Sequence, residues 1–246
     1  MSARDVVGID LGTTHSAVAF CPAGGGRIEV FRVPQLVAPG EAAPFDLLPS
    51  TVYLPAPGEL PAGATRLPWG EAPPWIVGEL ARRLGASVPG RLVASAKSWL
   101  SYAGVDRTAA ILPWGAPPDV EKIAPVTASA RLLAHVRAAW DAARPDTPLA
   151  HPEVVLTVPA SFDEVARALT VQAAREAGIE RPRLLEEPQA AFYDFLHQHE
   201  DALDAALGGA RLALVVDVGG GTTDLTLVRI DRQPAGPPRI ERIAVG

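Results

Sequence analysis

The chain carries one pattern twice. Residues 7–19 read Val-Gly-Ile-Asp-Leu-Gly-Thr-Thr-His-Ser-Ala-Val-Ala, and residues 214–227 read Leu-Val-Val-Asp-Val-Gly-Gly-Gly-Thr-Thr-Asp-Leu-Thr-Leu. Each copy is an apolar run, an aspartate, a glycine-containing turn, two threonines and a second apolar run. That pattern predicts a β-hairpin with a carboxylate at the end of its first strand and a tight, hydroxyl-lined turn beside it. Either hairpin alone would be an ordinary glycine-rich turn. Two in one chain predict a fold of two related halves, with the turns facing each other across a cleft.

The bulk properties narrow the class. At 246 residues, 48 % of them hydrophobic and 20 % charged, the chain is expected to be globular and to bury a substantial core. No apolar run has the length of a membrane span, and the N-terminus lacks the pattern of a secretory signal. The lone cysteine, Cys21, excludes an internal disulfide framework and suits a reducing cytoplasm. A net charge of −6 without a basic block argues against nucleic acid as a partner.

In chain order, residues 5–11, 15–21 and 27–33 read as an antiparallel meander with turns at 12–14 and 22–26. Segment 34–118 holds 14 of the 25 prolines, which predicts a loop-rich insert on the rim of the fold. Within it 50–54 reads as a strand, and 77–84 and 90–100 as helices. A helix over 126–143 places Leu132, Leu133, Val136 and Trp140 on one face. Residues 153–158 read as an interior strand. Ser161 and Glu164 form a capping box for a helix that ends at Gly178. A short strand at 184–185 precedes a helix opened by Pro188, and Gly208-Gly209 breaks the segment after it. Strands at 211–217, 224–230 and 238–244 repeat the opening order. The expected division is a first lobe over 1–208 and the start of a second over 209–246. Three strands without a covering layer would expose an apolar face, so the chain is expected to be part of a longer protein and to self-associate.

Polyphosphate binding needs close backbone N–H groups, carboxylates for a metal's water shell, and a cation. Gly219-Gly220-Gly221-Thr222-Thr223 offers such a nest, and Gly12-Thr13-Thr14 a smaller one. Asp10 and Asp217 end their strands at equivalent points, placed for a metal or its bound water. A P-loop is absent, as are the paired cysteines and the His-Glu-x-x-His of zinc sites.

The two motifs resemble the phosphate loops of the actin, sugar kinase and heat-shock chaperone ATPase superfamily. Intervening segments narrow the resemblance to the nucleotide-binding domain of 70-kDa heat-shock proteins of the DnaK type. These are Leu-Pro-Ser-Thr-Val at 48–52, Val-Gly-Glu-Leu-Ala at 77–81, Ala-Lys-Ser-Trp-Leu at 96–100, Leu-Thr-Val-Pro-Ala-Ser-Phe at 156–162 and Glu-Pro-Gln-Ala-Ala at 187–191. The resemblance covers the whole chain. It implies an α/β, actin-like (ribonuclease H-like) lobe with a mixed sheet and flanking helices. It implies ATP hydrolysis, with nucleotide state driving lobe closure and control of a peptide-binding domain, and hence unfolded peptide clients and co-chaperones.

By the same resemblance, Asp10 and Asp217 match the acidic residues around Mg2+ and the attacking water. Thr13 and Thr14 match the first phosphate loop, and Gly219, Gly220, Gly221 and Thr222 the second. Lys97 matches the catalytic lysine and Glu187 the glutamate that positions water. Asp224 matches a further acidic residue near the metal and a K+ site. Pro159 matches a proline coupling nucleotide state to shape. The family's adenine-binding segments would lie beyond residue 246, so residues 1–246 alone are expected to bind ATP weakly or not at all.

The chain departs from the family at His15, at Ser-Trp-Leu after Lys97 and at Gln189, as in a divergent bacterial branch. The alternative reading is a non-chaperone actin-like protein that acts as a nucleotide-dependent structural switch or assembles. Lys97 and the Glu-Pro-x-Ala-Ala segment favour the chaperone.

Overall fold

The computed structural model describes residues 5–220, 223–233 and 238–245. Its elements run β1 (Val6–Leu11), β2 (His15–Cys21), β3 (Glu29–Val30), β4 (Val33–Ala38), β5 (Glu41–Phe45), β6 (Leu47–Pro49), β7 (Val52–Tyr53), β8 (Ile76–Val77), α1 (Glu79–Ser87), β9 (Leu92–Val93), α2 (Ala96–Ser101), α3 (Pro125–Ala143), β10 (Glu153–Val158), α4 (Glu164–Glu176), β11 (Arg183–Glu186), α5 (Glu187–Gln198), α6 (Leu203–Leu207), β12 (Leu212–Val218), β13 (Thr223–Asp231) and β14 (Arg239–Val245).

The organising layer is a mixed sheet in the order β11-β10-β1-β2-β3, with β6 also on β2. β1 runs antiparallel to β2 and parallel to β10, and β10 runs parallel to β11. The period of two in β1 divides its side chains between core and cleft. Val7, Ile9 and Leu11 are buried in the core, while Asp10 points to the opposite face. β10 repeats the alternation, with Val154, Leu156 and Val158 inside and Thr157 on the side of Asp10. The predicted helix at 126–143 is α3, and its Leu132, Leu133, Val136 and Trp140 join that core. Trp140 is fully buried, edge-on to Phe20, and its indole N–H donates to Thr147 O at 2.9 Å. Each such large side chain contributes about 1.5–3 kcal/mol of hydrophobic stabilisation. No helix among the described residues is long and apolar enough to cross a membrane.

Three sequence expectations are corrected. The third strand shrinks from 27–33 to Glu29–Val30. Ile28 and Val30 are exposed, whereas Phe31 turns inward onto Trp140 and Val33 starts a separate hairpin. The proline-rich insert is loop-rich with short elements, as its composition suggests. β4 and β5 pair with Pro34 opposite Pro44, tolerated because a two-stranded hairpin consists of edges.

The helix expected over 90–100 is only α2; Leu92 and Val93 instead pair with β7, and the chain re-aims at Ser95, whose φ is 55°. The capping box is not used: α4 begins at Glu164 with Asp163 as its N-cap, accepting from Ala166 N at 2.7 Å. A fork from Arg107, both bonds 2.9 Å, holds Asp163 in place.

β12, β13 and β14 form a separate antiparallel sheet. One face is covered, since Val228 and Ile230 pack on Phe192 and Leu196 of α5 and on Leu207 of α6. The other face leaves Leu212, Leu214 and Val216 exposed, as the uncovered strands predicted.

Candidate functional site

The first turn is tight by necessity. β1 ends at Leu11, β2 begins at His15, and Leu11 pairs with Ser16 across Gly12-Thr13-Thr14. A Cβ on Gly12 would fall 2.1 Å from His15 O, so only glycine fits. β6 backs the turn, with Ser50 N donating to Thr14 O at 2.8 Å and the Ser16 and Ser50 hydroxyls 2.9 Å apart. His15 Nδ1 lies 3.3 Å from Thr14 Oγ1.

The second turn mirrors it. Asp217 is penultimate in β12 as Asp10 is in β1, and Val218 pairs with Thr223 across the turn. Gly220 sits against Thr14, so the two turns touch. Gly221 and Thr222, both expected to contact phosphate, lie outside the described residues.

Between the turns lies a cleft of about 450 Å³. It is lined by Asp10, Gly12, Thr13, Thr14, Lys97, Pro159, Glu187, Asp217, Gly219 and Gly220, the sequence-predicted set, together with His15 and Thr157. Thr223 and Asp224 are not in this lining. They open β13 behind the turn, with Asp224 paired in register to Asp217.

Lys97 and Glu187 meet although 90 residues separate them. Lys97 sits in the first turn of α2 with 7 % exposure, and its Nζ donates to Glu187 Oε1 at the start of α5. Burial pushes the Glu187 carboxyl above its ordinary value; Lys97 pulls it back, and Asp10 and Asp217 push it further up. Three carboxylates and one ammonium thus line the same cleft, an arrangement short of positive charge. Among the described residues no group of three acids or histidines stands close enough to hold a metal ion directly.

Sequence reasoning missed Thr157, whose hydroxyl donates to Asp10 Oδ1 at 2.7 Å. The signal was present: it is the lone hydroxyl in the run Val-Val-Leu-Thr-Val. That bond engages one carboxylate oxygen of Asp10, and both residues line the cleft.

The comparisons with known proteins agree. A family model described as Hsp70 protein matches residues 73–234. "Heat shock 70 kDa protein BIP3" of Oryza sativa subsp. japonica is 31% identical over 244 residues, covering 92% of this chain and 31% of the relative. "Chaperone protein HscA" of Pectobacterium carotovorum is 32% identical over 241 residues, covering 93% of this chain and 33% of the relative. "Chaperone protein HscA homolog" of Bordetella petrii is 35% identical over 227 residues, with 92% and 32% covered. The chain therefore spans about a third of the length of these curated relatives. With the family model covering well over half of it, and with the mixed sheet and paired turns described above, the chain belongs to the Hsp70 family and has its actin-like ATPase fold.

Proposed function

We propose that this chain is the ATP-binding and ATP-hydrolysing part of a heat-shock-type chaperone. The observation that carries the reading is the convergence of Asp10, Asp217 and the Lys97–Glu187 pair on one cleft, between two turns in contact. The chaperone names of its relatives support this reading over an actin-like assembling protein. In the whole protein, nucleotide state would govern the grip on unfolded peptide and the engagement of co-chaperones in the cytoplasm. The proposed division is a first lobe to about residue 208 and the beginning of a second.

The donor set fits Mg2+ delivered with the nucleotide. Carboxylates outnumber cations in the cleft, yet among the described residues no three of them are grouped for direct ligation, which suits an ion held mostly through water and phosphate oxygens. Asp10 and Asp217 would hold it, with Asp224 serving that ion or K+. Such an ion, when bound, neutralises phosphate charge.

The chain's own groups do the rest. Turn N–H groups around Thr13, Thr14, Gly219, Gly220 and Gly221, with the Thr222 hydroxyl, bind the phosphates. The Lys97 ammonium offsets charge growing on the transferred phosphoryl group. Glu187 accepts a hydrogen bond from the attacking water and holds it in line. Pro159, at the lip beyond β10, passes changes in the cleft to the lobe. The test is a single turnover with the full-length protein: ATP is converted to ADP and phosphate, and Lys97→Ala retains binding but loses conversion. A full-length protein that neither binds nor converts ATP overturns the reading.

A further inference from the structure

The C-terminal sheet reaches back to the first lobe through one arginine on β14. Arg242 Nη1 donates to Ala160 O at 3.1 Å, and its Nε lies 3.1 Å from Glu186 Oε2. The other Glu186 oxygen accepts from Arg167 Nη2 of α4 at 2.8 Å. Glu186 is 9 % exposed, so two guanidiniums, one from helix α4 and one from strand β14, share one buried carboxylate. The Nε–Oε2 approach is an ion pair outside hydrogen-bond alignment, since Oε2 is buried without a hydrogen-bond partner.

Both residues gripped by Arg242 are chain neighbours of groups in the cleft. Glu186 ends β11 immediately before Glu187, and Ala160 follows Pro159. At the other end, Arg242 pairs in register with Val228 on β13, and β13 pairs with β12, which carries Asp217. The β14–β13–β12 pairing, with one register shift between Leu227 and Val228, thus joins the Arg242 fork to Asp217 and the second turn.

We propose that Arg242 is a positioning residue, a brace that fixes the second turn and Asp217 relative to Glu187 and Pro159. The proposal rests on the reading of the cleft as an ATP-hydrolysing site. A misplacement of about 1 Å at a water-positioning carboxylate can lower a rate a hundredfold, whereas phosphate binding spread over many N–H groups tolerates it better. Loss of the brace therefore acts on turnover more than on affinity.

The test uses the full-length protein. Arg242→Ala is expected to lower the single-turnover rate about tenfold or more, with nucleotide affinity changed less than about threefold. Arg242→Lys, which keeps the ion pair but cannot fork, recovers part of the rate. Arg242→Ala and Glu186→Gln combine non-additively, as members of one network do. Arg229→Ala removes the exposed Arg229–Glu241 pair on the same sheet and leaves the rate unchanged. The brace is overturned by an Arg242→Ala rate within about twofold of wild type, or by equal losses of rate, affinity and thermal stability. A wild type that hydrolyses no ATP fails the functional reading itself; a wild type and an Arg242→Ala variant that hydrolyse alike fail only the brace.

Discussion

Gly220 of the second turn is packed against Thr14 of the first: a Cβ on Gly220 would fall 2.3 Å from Thr14 Cγ2 and 2.9 Å from its Oγ1. The two halves therefore touch at the cleft they line, and the contact sets the spacing of the two turns.

Gly220→Ala should push the turns apart and weaken nucleotide binding by about tenfold, with a stability loss of about 1–3 kcal/mol from overpacking. The obstructing atoms belong to a side chain, so the double variant Gly220→Ala with Thr14→Ser, which removes Cγ2, should recover much of the affinity. Gly12→Ala offers no such relief, because its Cβ would strike the backbone oxygen of His15 at 2.1 Å. Calorimetric ATP titration and thermal melting of the three variants separate these cases. Equal behaviour of Gly12→Ala and Gly220→Ala would contradict the packing argument.

The Lys97–Glu187 pair makes a catalytic and a titration prediction. Lys97→Ala should lower hydrolysis by about 10²–10³-fold, the range for removing one charge-stabilising donor. Because burial, Asp10 and Asp217 raise the Glu187 carboxyl, its proton is held to a pH above the usual carboxylate value of about 4.3. Turnover should therefore fall on the acid side at a higher pH than an exposed glutamate would dictate. Lys97→Met removes the influence that lowers it and should move the Glu187 carboxyl band, assigned by Glu187→Gln in difference infrared spectra, to higher pH still. A band that titrates as an exposed glutamate, unmoved by Lys97→Met, would sink the electrostatic account.

Both hairpins were legible in the sequence because a period of two, an aspartate and a glycine turn are local signals. The Lys97–Glu187 contact was not, as 90 residues and the whole insert lie between its partners. The family resemblance gave each of them a role but not their contact. The third strand was read too long because apolar residues recur to Val33, although the alternation changes phase at Val30-Phe31, where Phe31 is drawn onto Trp140. The brace at Arg242 had no local signal at all: it joins residues 82 and 56 positions away.

The α4 cap shows a nonlocal choice between two local candidates. Ser161 fits a capping box, but Asp163 is held by Arg107 from 56 residues away and takes the cap. Asp163→Ala should lower the melting temperature measurably and Ser161→Ala hardly at all. The Asp163 carboxyl is held below its ordinary value by the Arg107 hydrogen bonds first and by the Ala166 N–H next. Its contribution is present above the unfolded carboxylate value of about 3.9 and is lost as pH falls through the lower folded value. Arg107→Ala should weaken the same acid-sensitive contribution; identical melting for the Asp163 and Ser161 variants would restore the capping box.

His135 of α3 gives a pH lever in the acid range. It is buried, stacked edge-on against Trp69 at 5.2 Å, and its Nε2–H donates to Pro34 O at 2.9 Å, tying α3 to β4. Burial lowers its pKa from 6.5 to about 4, against the smaller upward pull of the Pro34 carbonyl. The unfolded chain thus takes up the proton first as pH drops. Stability is complete above about 6.5 and falls between there and about 4, by a total on the order of 3 kcal/mol for a shift of this size. His135→Gln keeps a donor but cannot titrate. It should be no more stable than wild type at pH 7, lose less stability as the pH is lowered, and overtake wild type near pH 5. Urea unfolding midpoints of the two proteins across that range decide it, and curves that stay parallel would show that His135 is protonated as easily in the fold as out of it.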